Sequence, residues 1–283
     1  MNSIRPTAVA GAFYPGDTKI LAASVKSLLA DVVGDAQSDR APKAIIAPHA
    51  GYIYSGPIAA SIYARLAPLR GRIRRVVLIG PAHRVWLRGI ALPDAVAFAS
   101  PLGDVEIDAD AVRAIASLPQ VTVREDAHAQ EHSLEVQLPF LQSVLGDFRL
   151  VPLVVGQATP GEVAEVLDAL WGGEETLIVV SSDLSHFLDY RSARSVDGET
   201  ARAINALESN LTHEQACGAT AINGLTKLAR KRGMEVEQID LRNSGDTAGD
   251  RSRVVGYGAF AFREKVATKV ATSEKAESEA GHA

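Results

Sequence analysis

The sequence predicts an α/β fold, a single-domain three-layer α/β/α sandwich around a central mixed sheet. Three observations predict it. Apolar runs rich in Val and Ile alternate along the chain with longer amphipathic stretches, and uninterrupted apolar runs suit strands covered on both faces. Three of those runs end on histidine or carboxylate: IIAPHAGY carries His49, VVLIGPAH carries His83, and LIVVSSDLSH carries Asp183 and His186. The C-terminal strand ends of an open α/β sheet are where ligands and chemistry collect. With 283 residues, 47% of them apolar, the chain can bury a large core, as one large domain or two small ones. No interdomain linker interrupts it, so one domain over 1–263 is expected.

The elements follow in order. Strands are predicted at Lys43 to Ala47, Arg75 to Gly80, Arg88 to Leu92, Arg149 to Val155, Thr176 to Ser181, Glu235 to Leu241 and Arg253 to Phe262. Helices are predicted at Asp17 to Val33, Pro57 to Leu66, Ala109 to Ser117, Ser133 to Leu145, Pro160 to Leu170, Ser192 to Glu208 and Glu214 to Arg232. Asp17 and Thr159 suit N-caps, with Pro160 at a first helical position. Pro139 should kink or split its helix. Glu264 to Ala283 is polar and rich in Ala, Glu, Lys and Ser, and reads as a disordered tail over 264–283.

Composition narrows the function classes. Against 34 acidic residues there are 29 basic ones, a net charge of −5, with no positive stripe for nucleic acid or an anionic membrane. A single cysteine, Cys217, rules out an internal disulfide. No apolar run reaches the roughly 18 residues of a membrane span, and the start lacks the pattern of a secretory signal. A cytoplasmic protein is therefore expected.

In APHAGY, Pro48 restricts the residue before it and Gly51 permits a sharp exit, so His49 can be held at a strand edge. A ring nitrogen bonded to a loop carbonyl would satisfy the same geometry. His83 repeats the arrangement after a second strand, and two imidazoles begin a site for iron, zinc or copper. Asp246 and Asp250 lie in LRNSGDTAGD, between the last two strands; Asp246 is the preferred third ligand, completing two His and one carboxylate as in non-haem Fe(II) centres. Turn chemistry alone also explains that loop.

In SSDLSHF, Asp183 could orient an imidazole through its ring N–H, and His186 could take and return a proton near neutral pH. A helix cap is the plainer role for Ser182 or Asp183. HAQEHSLEVQLPF contains His128, Glu131 and His132 in the H-x-x-E-H order of inverted zinc peptidases. That chemistry needs one continuous helix, but apolar periodicity begins only at Leu134. Glu131 and His132 are instead assigned to the rim of the first site, and His128 to a solvated loop. Cys217 starts CGATAING and is assigned a structural role, because free cysteine is among the most buried residues. Neither GPIAAS nor GATAING has the full Gly-rich pattern of a nucleotide site.

Taken together, RPTAVAGAFYP, APHAGYIYSGPIAA, LIGPAHR, EHSLEVQLPFL, VPLVVG, SSDLSHF and VVGYGAFAF resemble the MEMO family, which includes the bacterial AmmeMemoRadiSam system protein B. The resemblance runs collinearly from Arg5 to Phe262. It implies a LigB-like fold, that of the catalytic subunit of class III extradiol dioxygenases, which open catechol rings with non-haem iron. By motif, His49 and His83 resemble the two histidine ligands, His186 the general base, and His132 the pocket histidine near substrate and oxygen. In the human family member the late loop supplies a cysteine as the third ligand; here it reads NSGDTAGD. Asp246 matches the dioxygenase carboxylate, and a shift of one position would place Thr247 there.

The resemblance also implies work beside an AMMECR1-domain protein and a radical SAM enzyme. Three functions follow as expectations: an Fe(II) oxidoreductase acting on a small, phenolic substrate, a metal-binding scaffold without catalysis, and a zinc peptidase.

Overall fold

The computed structural model describes residues 3–32 and 41–265. In chain order the strands are β1 (Ile4–Arg5), β2 (Ala44–Ala47), β3 (Arg75–Pro81), β4 (Ile90–Leu92), β5 (Ala97–Phe98), β6 (Val105–Glu106), β7 (Val121–Val123), β8 (Arg149–Val155), β9 (Thr176–Ser181), β10 (His186–Leu188), β11 (Glu235–Asn243) and β12 (Val254–Arg263). The helices are α1 (Thr18–Ala30), α2 (Tyr52–Tyr63), α3 (Ala109–Ile115), α4 (Glu125–Ala129), α5 (Leu138–Leu145), α6 (Pro160–Ala169), α7 (Tyr190–Asn205) and α8 (Ala219–Lys231).

The central sheet is mixed, as expected. Its nine strands run β10, β12, β2, β9, β3, β8, β4, β7, with β11 paired to the free side of β12. Neighbours β2, β9, β3 and β8 are parallel, while β12 and β4 run antiparallel to their inner neighbours. A small second sheet joins β1, β5 and β6.

Side-chain alternation divides the core into two layers. Ile45, Val76, Leu78, Leu150 and Val179 pack with α1, α2 and α5, whereas Ile46, Val77, Ile79, Val151 and Ile178 pack with α3, α6, α7 and α8. Successive strand residues point to opposite faces, so runs that are apolar at every position need helices on both sides. The result is the three-layer α/β sandwich in a single domain.

Local signals hold at several helix ends. Asp17 accepts from the Lys19 and Ile20 N–H groups, and Thr159 with Glu162 forms a reciprocal cap on α6 behind Pro160. Pro139 splits its predicted helix: a 3₁₀ turn at Glu135–Gln137 precedes α5, which takes the proline in its first turn.

Elsewhere tertiary packing overrides the pattern. The second helix begins at Tyr52 rather than Pro57 and runs through the proline, whose missing N–H would have met Ile53, a residue on the exposed face. The last helix starts at Ala219, five residues later than expected. Val33, the expected end of the first helix, and residues 266–283 of the expected tail lie outside the described residues.

Candidate metal centre

Parallel pairing places the ends of β2, β9 and β3 side by side, and this assembles the site. His49 follows β2, His83 follows β3, and Asp183 follows β9. A third imidazole comes from outside these strands. Among the described residues, His49, His83 and His132 bring one ligand atom each to within 4.8 Å of one another. Their ring centroids are 4.7 to 5.4 Å apart. Imidazoles sharing one ion at about 2.1 Å place their nitrogens roughly 3–4 Å apart, so small ring rotations close the shell. Three imidazoles suit zinc, copper and iron alike.

Each ring is held differently. Glu131, 2% exposed, accepts from the His83 N–H at 2.6 Å, from the His83 ring at 2.9 Å, and from the His132 and Ser133 N–H groups at 2.9 Å. Burial pushes this carboxyl up, but the His83 ring and these backbone donors prevail and hold it down at about 2. It is therefore an anion at neutral pH, and an anion can only accept. His83 must donate from Nδ1, which leaves Nε2 bare for a metal.

His49 is 2% exposed, with its backbone N–H on the Asp183 carboxylate at 2.7 Å and its Nδ1 2.9 Å from Ser181 Oγ. Burial first, then the neighbouring His83 and His132, hold His49 well below its usual value, which keeps it neutral as a ligand must be. Burial likewise lowers His132 to about 4, and Phe13 packs on its ring at 4.9 Å.

The remaining expected residues are less uniformly placed. His186 opens β10, and its Nδ1 donates to the Leu184 carbonyl at 2.8 Å, which leaves Nε2 as the ring's uncommitted nitrogen. With His83 and Cys217 it lines a cleft of about 960 Å³, walled by Val85, Trp86 and Leu188. Asp183 supports a histidine through backbone N–H groups, those of His49 and Ala50, rather than through a ring N–H; burial raises its carboxyl.

Among the described residues, Asp246 is not a member of the histidine cluster. Its carboxylate closes a 3₁₀ turn, accepting from the Asn243 N–H at 3.1 Å and from the Tyr190 hydroxyl at 2.5 Å. This is the turn chemistry its loop also suggested, and in this geometry His132 stands where Asp246 was expected. Thr247 bonds within the same turn, to the Ser244 carbonyl.

One other expectation is corrected. His128 is 1% exposed, not solvated: its Nε2 donates to the Ala91 carbonyl at 2.9 Å and its ring stands edge-on to Phe98. The helix needed for zinc-peptidase chemistry is absent from this segment, since α4 ends at Ala129, before Glu131 and His132. Cys217, given only a structural role, has its Sγ 3.3 Å from His49 Nε2. Burial, and then Asp183, push that thiol up to about 12.

The sequence reading missed the clamp beneath the site. Arg5, 1% exposed, pairs with buried Glu135 and donates to the carbonyls of His128 at 3.0 Å and Glu131 at 2.6 Å. Glu135 also accepts from the Ala8 and Val9 N–H groups and the Tyr14 hydroxyl. One ion pair thus joins the N-terminal segment to the Glu131–His132 loop. The signal was present in RPTAVAGAFYP and EHSLEVQ as two motifs, but nothing in either says that they touch.

The sequence pattern that defines Memo-like proteins matches residues 5–261. The chain belongs to the Memo family. Among the relatives of this Memo-family protein, a MEMO1 family protein of Aquifex aeolicus is 36% identical, over 92% of this chain and 99% of its own. One of Archaeoglobus fulgidus is 34% identical, over 92% and 100% respectively. A solved structure of an uncharacterized protein from Escherichia coli K12 is 16% identical, with a TM-score of 0.48, over 76% of this chain and 98% of its own. Among the described residues no helix is long and apolar enough to cross a membrane.

Proposed function

We propose that this Memo-family protein is an oxidoreductase that holds one Fe(II) ion with His49, His83 and His132 and acts on a small phenolic molecule in the adjoining cleft. The three-histidine cluster carries the proposal. Iron in such a site, when bound, would supply redox and Lewis-acid chemistry.

The protein's own groups supply the rest. Glu131 keeps His83 in the metal-binding tautomer and places a negative charge against the cluster. His186, with its Nδ1 proton committed to Leu184, takes the phenolic proton at Nε2. Asp183 fixes the backbone of His49, and Val85, Trp86 and Leu188 offer the bound ring an apolar wall.

Metal analysis of protein purified without oxygen tests the assignment. About one iron per chain is expected in the wild type and in Asp246→Ala, with loss in His49→Ala, His83→Ala and His132→Ala. Metal retained in all three histidine variants would refute the centre, and metal lost in Asp246→Ala would return that carboxylate to the ligand set. Oxygen uptake by the iron-loaded protein across a panel of catechols then tests the reaction.

A further inference from the structure

His49 sits between two unlike neighbours, with Ser181 Oγ 2.9 Å from Nδ1 and Cys217 Sγ 3.3 Å from Nε2. Only the ring nitrogen without a proton can bind a metal. The proton's position can be worked out from the groups around Ser181.

The Gln137 side-chain nitrogen lies 2.9 Å from the Pro48 carbonyl and 3.4 Å from that of Ala47. Carbonyls only accept, so the amide must present its NH₂ group to them. Its oxygen correspondingly accepts from the Tyr63 hydroxyl at 2.7 Å. The same NH₂ group is 2.7 Å from Ser181 Oγ and donates to it. Ser181 in turn gives its single hydroxyl hydrogen to the Ser133 carbonyl at 2.6 Å. A serine oxygen with its hydrogen committed and one lone pair filled by Gln137 can only accept from His49. Tyr63, Gln137, Ser181 and Ser133 are all fully buried, away from bulk solvent.

We propose that Ser181, oriented by Gln137 and the Ser133 carbonyl, is a positioning residue that locks His49 in the Nδ1–H tautomer and presents Nε2 to the metal. Nε2 is then also the acceptor that the Cys217 thiol faces. The device parallels that on His83, with a neutral hydroxyl in place of the Glu131 carboxylate. Both locks draw on the segment Glu131 to Gln137, which adds His132 itself to the cluster. The purpose of the lock rests on the metal reading above; the tautomer does not.

Two-bond ¹H–¹⁵N correlation spectra of protein labelled at histidine nitrogen, recorded without metal, read the tautomer directly. The wild type is expected to show His49 protonated at Nδ1 with Nε2 bare. In Ser181→Ala the Nε2–H form should appear, and affinity for Zn²⁺, measured by chelator competition, should fall about 10–100-fold. Ser181→Thr, which keeps the hydroxyl, should restore both. Gln137→Met leaves Ser181 in place but frees it to turn, and should give a mixture of tautomers if Ser181→Ala does not fold. A wild-type His49 protonated at Nε2, or a Ser181→Ala protein with unchanged tautomer and zinc affinity, overturns the lock. A wild type that binds no zinc overturns the metal reading instead, and the spectrum taken without metal still decides the tautomer.

Discussion

Replacing Glu131 by glutamine removes one charge while keeping nearly the same shape, and the structure sets the size of the effect. The carboxylate accepts from the His83 ring and from the N–H groups of His83, His132 and Ser133. A glutamine must turn its NH₂ toward one of these donors. The carboxyl is held at about 2 instead of its usual 4.5, and at about 1.4 kcal/mol per tenfold change in proton affinity this is worth about 3 kcal/mol. Because the folded value lies below the unfolded one, that stability is complete above about pH 4.5 and is lost as pH falls toward about 2. Urea denaturation of metal-stripped protein from pH 7 to pH 2 should show this loss in the wild type. Glu131→Gln should already be less stable by about 3 kcal/mol at pH 7, with a flatter profile below pH 4.5, and should bind metal about 10–100-fold more weakly. A variant as stable as the wild type at pH 7, or one with the same acid slope, would refute the assignment of Glu131 as the anion that organises this loop.

The remaining expectations concern neighbouring groups. Burial holds His128 at about 4, below its usual 6.5, so its neutral form contributes stability that is complete above about pH 6.5 and lost as pH falls toward 4. That loss amounts to about 3 kcal/mol, and His128→Gln, which keeps a donor for the Ala91 carbonyl, should remove its share of the slope in the same urea series. Arg5→Met leaves Glu135 buried without its cation, and a loss of about 3–5 kcal/mol in unfolding free energy is expected; an unchanged melting temperature would show that the clamp is not structural. His186→Ala should retain iron while slowing turnover about 10²–10⁴-fold, and full activity in that variant would remove it from proton transfer.

How much of this was legible depended on the length of the pattern. The strands β2, β3, β8 and β9 are uninterrupted apolar runs, which is why they stood out and why they occupy the middle of the sheet. By contrast β1, β5 and β6 are two residues each, too short for any period to register. β5 pairs with β6 and with β1, and the ion pair between Arg5 and Glu135 ties β1 to the loop after α4. Helix starts failed for a related reason. Tyr52 begins its helix because its backbone N–H reaches the Phe13 carbonyl, a partner supplied by the fold rather than by the neighbouring sequence.

The site shows the same division more sharply. His49 and His83 could be read because a strand end is a local feature, and adjacent parallel strands bring such ends together wherever they lie in the chain. His132 and Asp246 could not be ranked this way, since both sit in loops whose course is set by contacts far away in sequence. Asp246 looked like a ligand because a carboxylate completes the familiar set, yet Tyr190 and the Asn243 N–H already occupy both of its oxygens. His132 looked like rim because it precedes its helix; that same position, on a loop tied by Arg5 and folded around Glu131, carries it inward. His132, with its Nδ1 3.4 Å from the Glu131 carboxylate and Phe13 on its ring, is carried to the cluster by the course of its loop rather than by any pattern in its neighbouring residues.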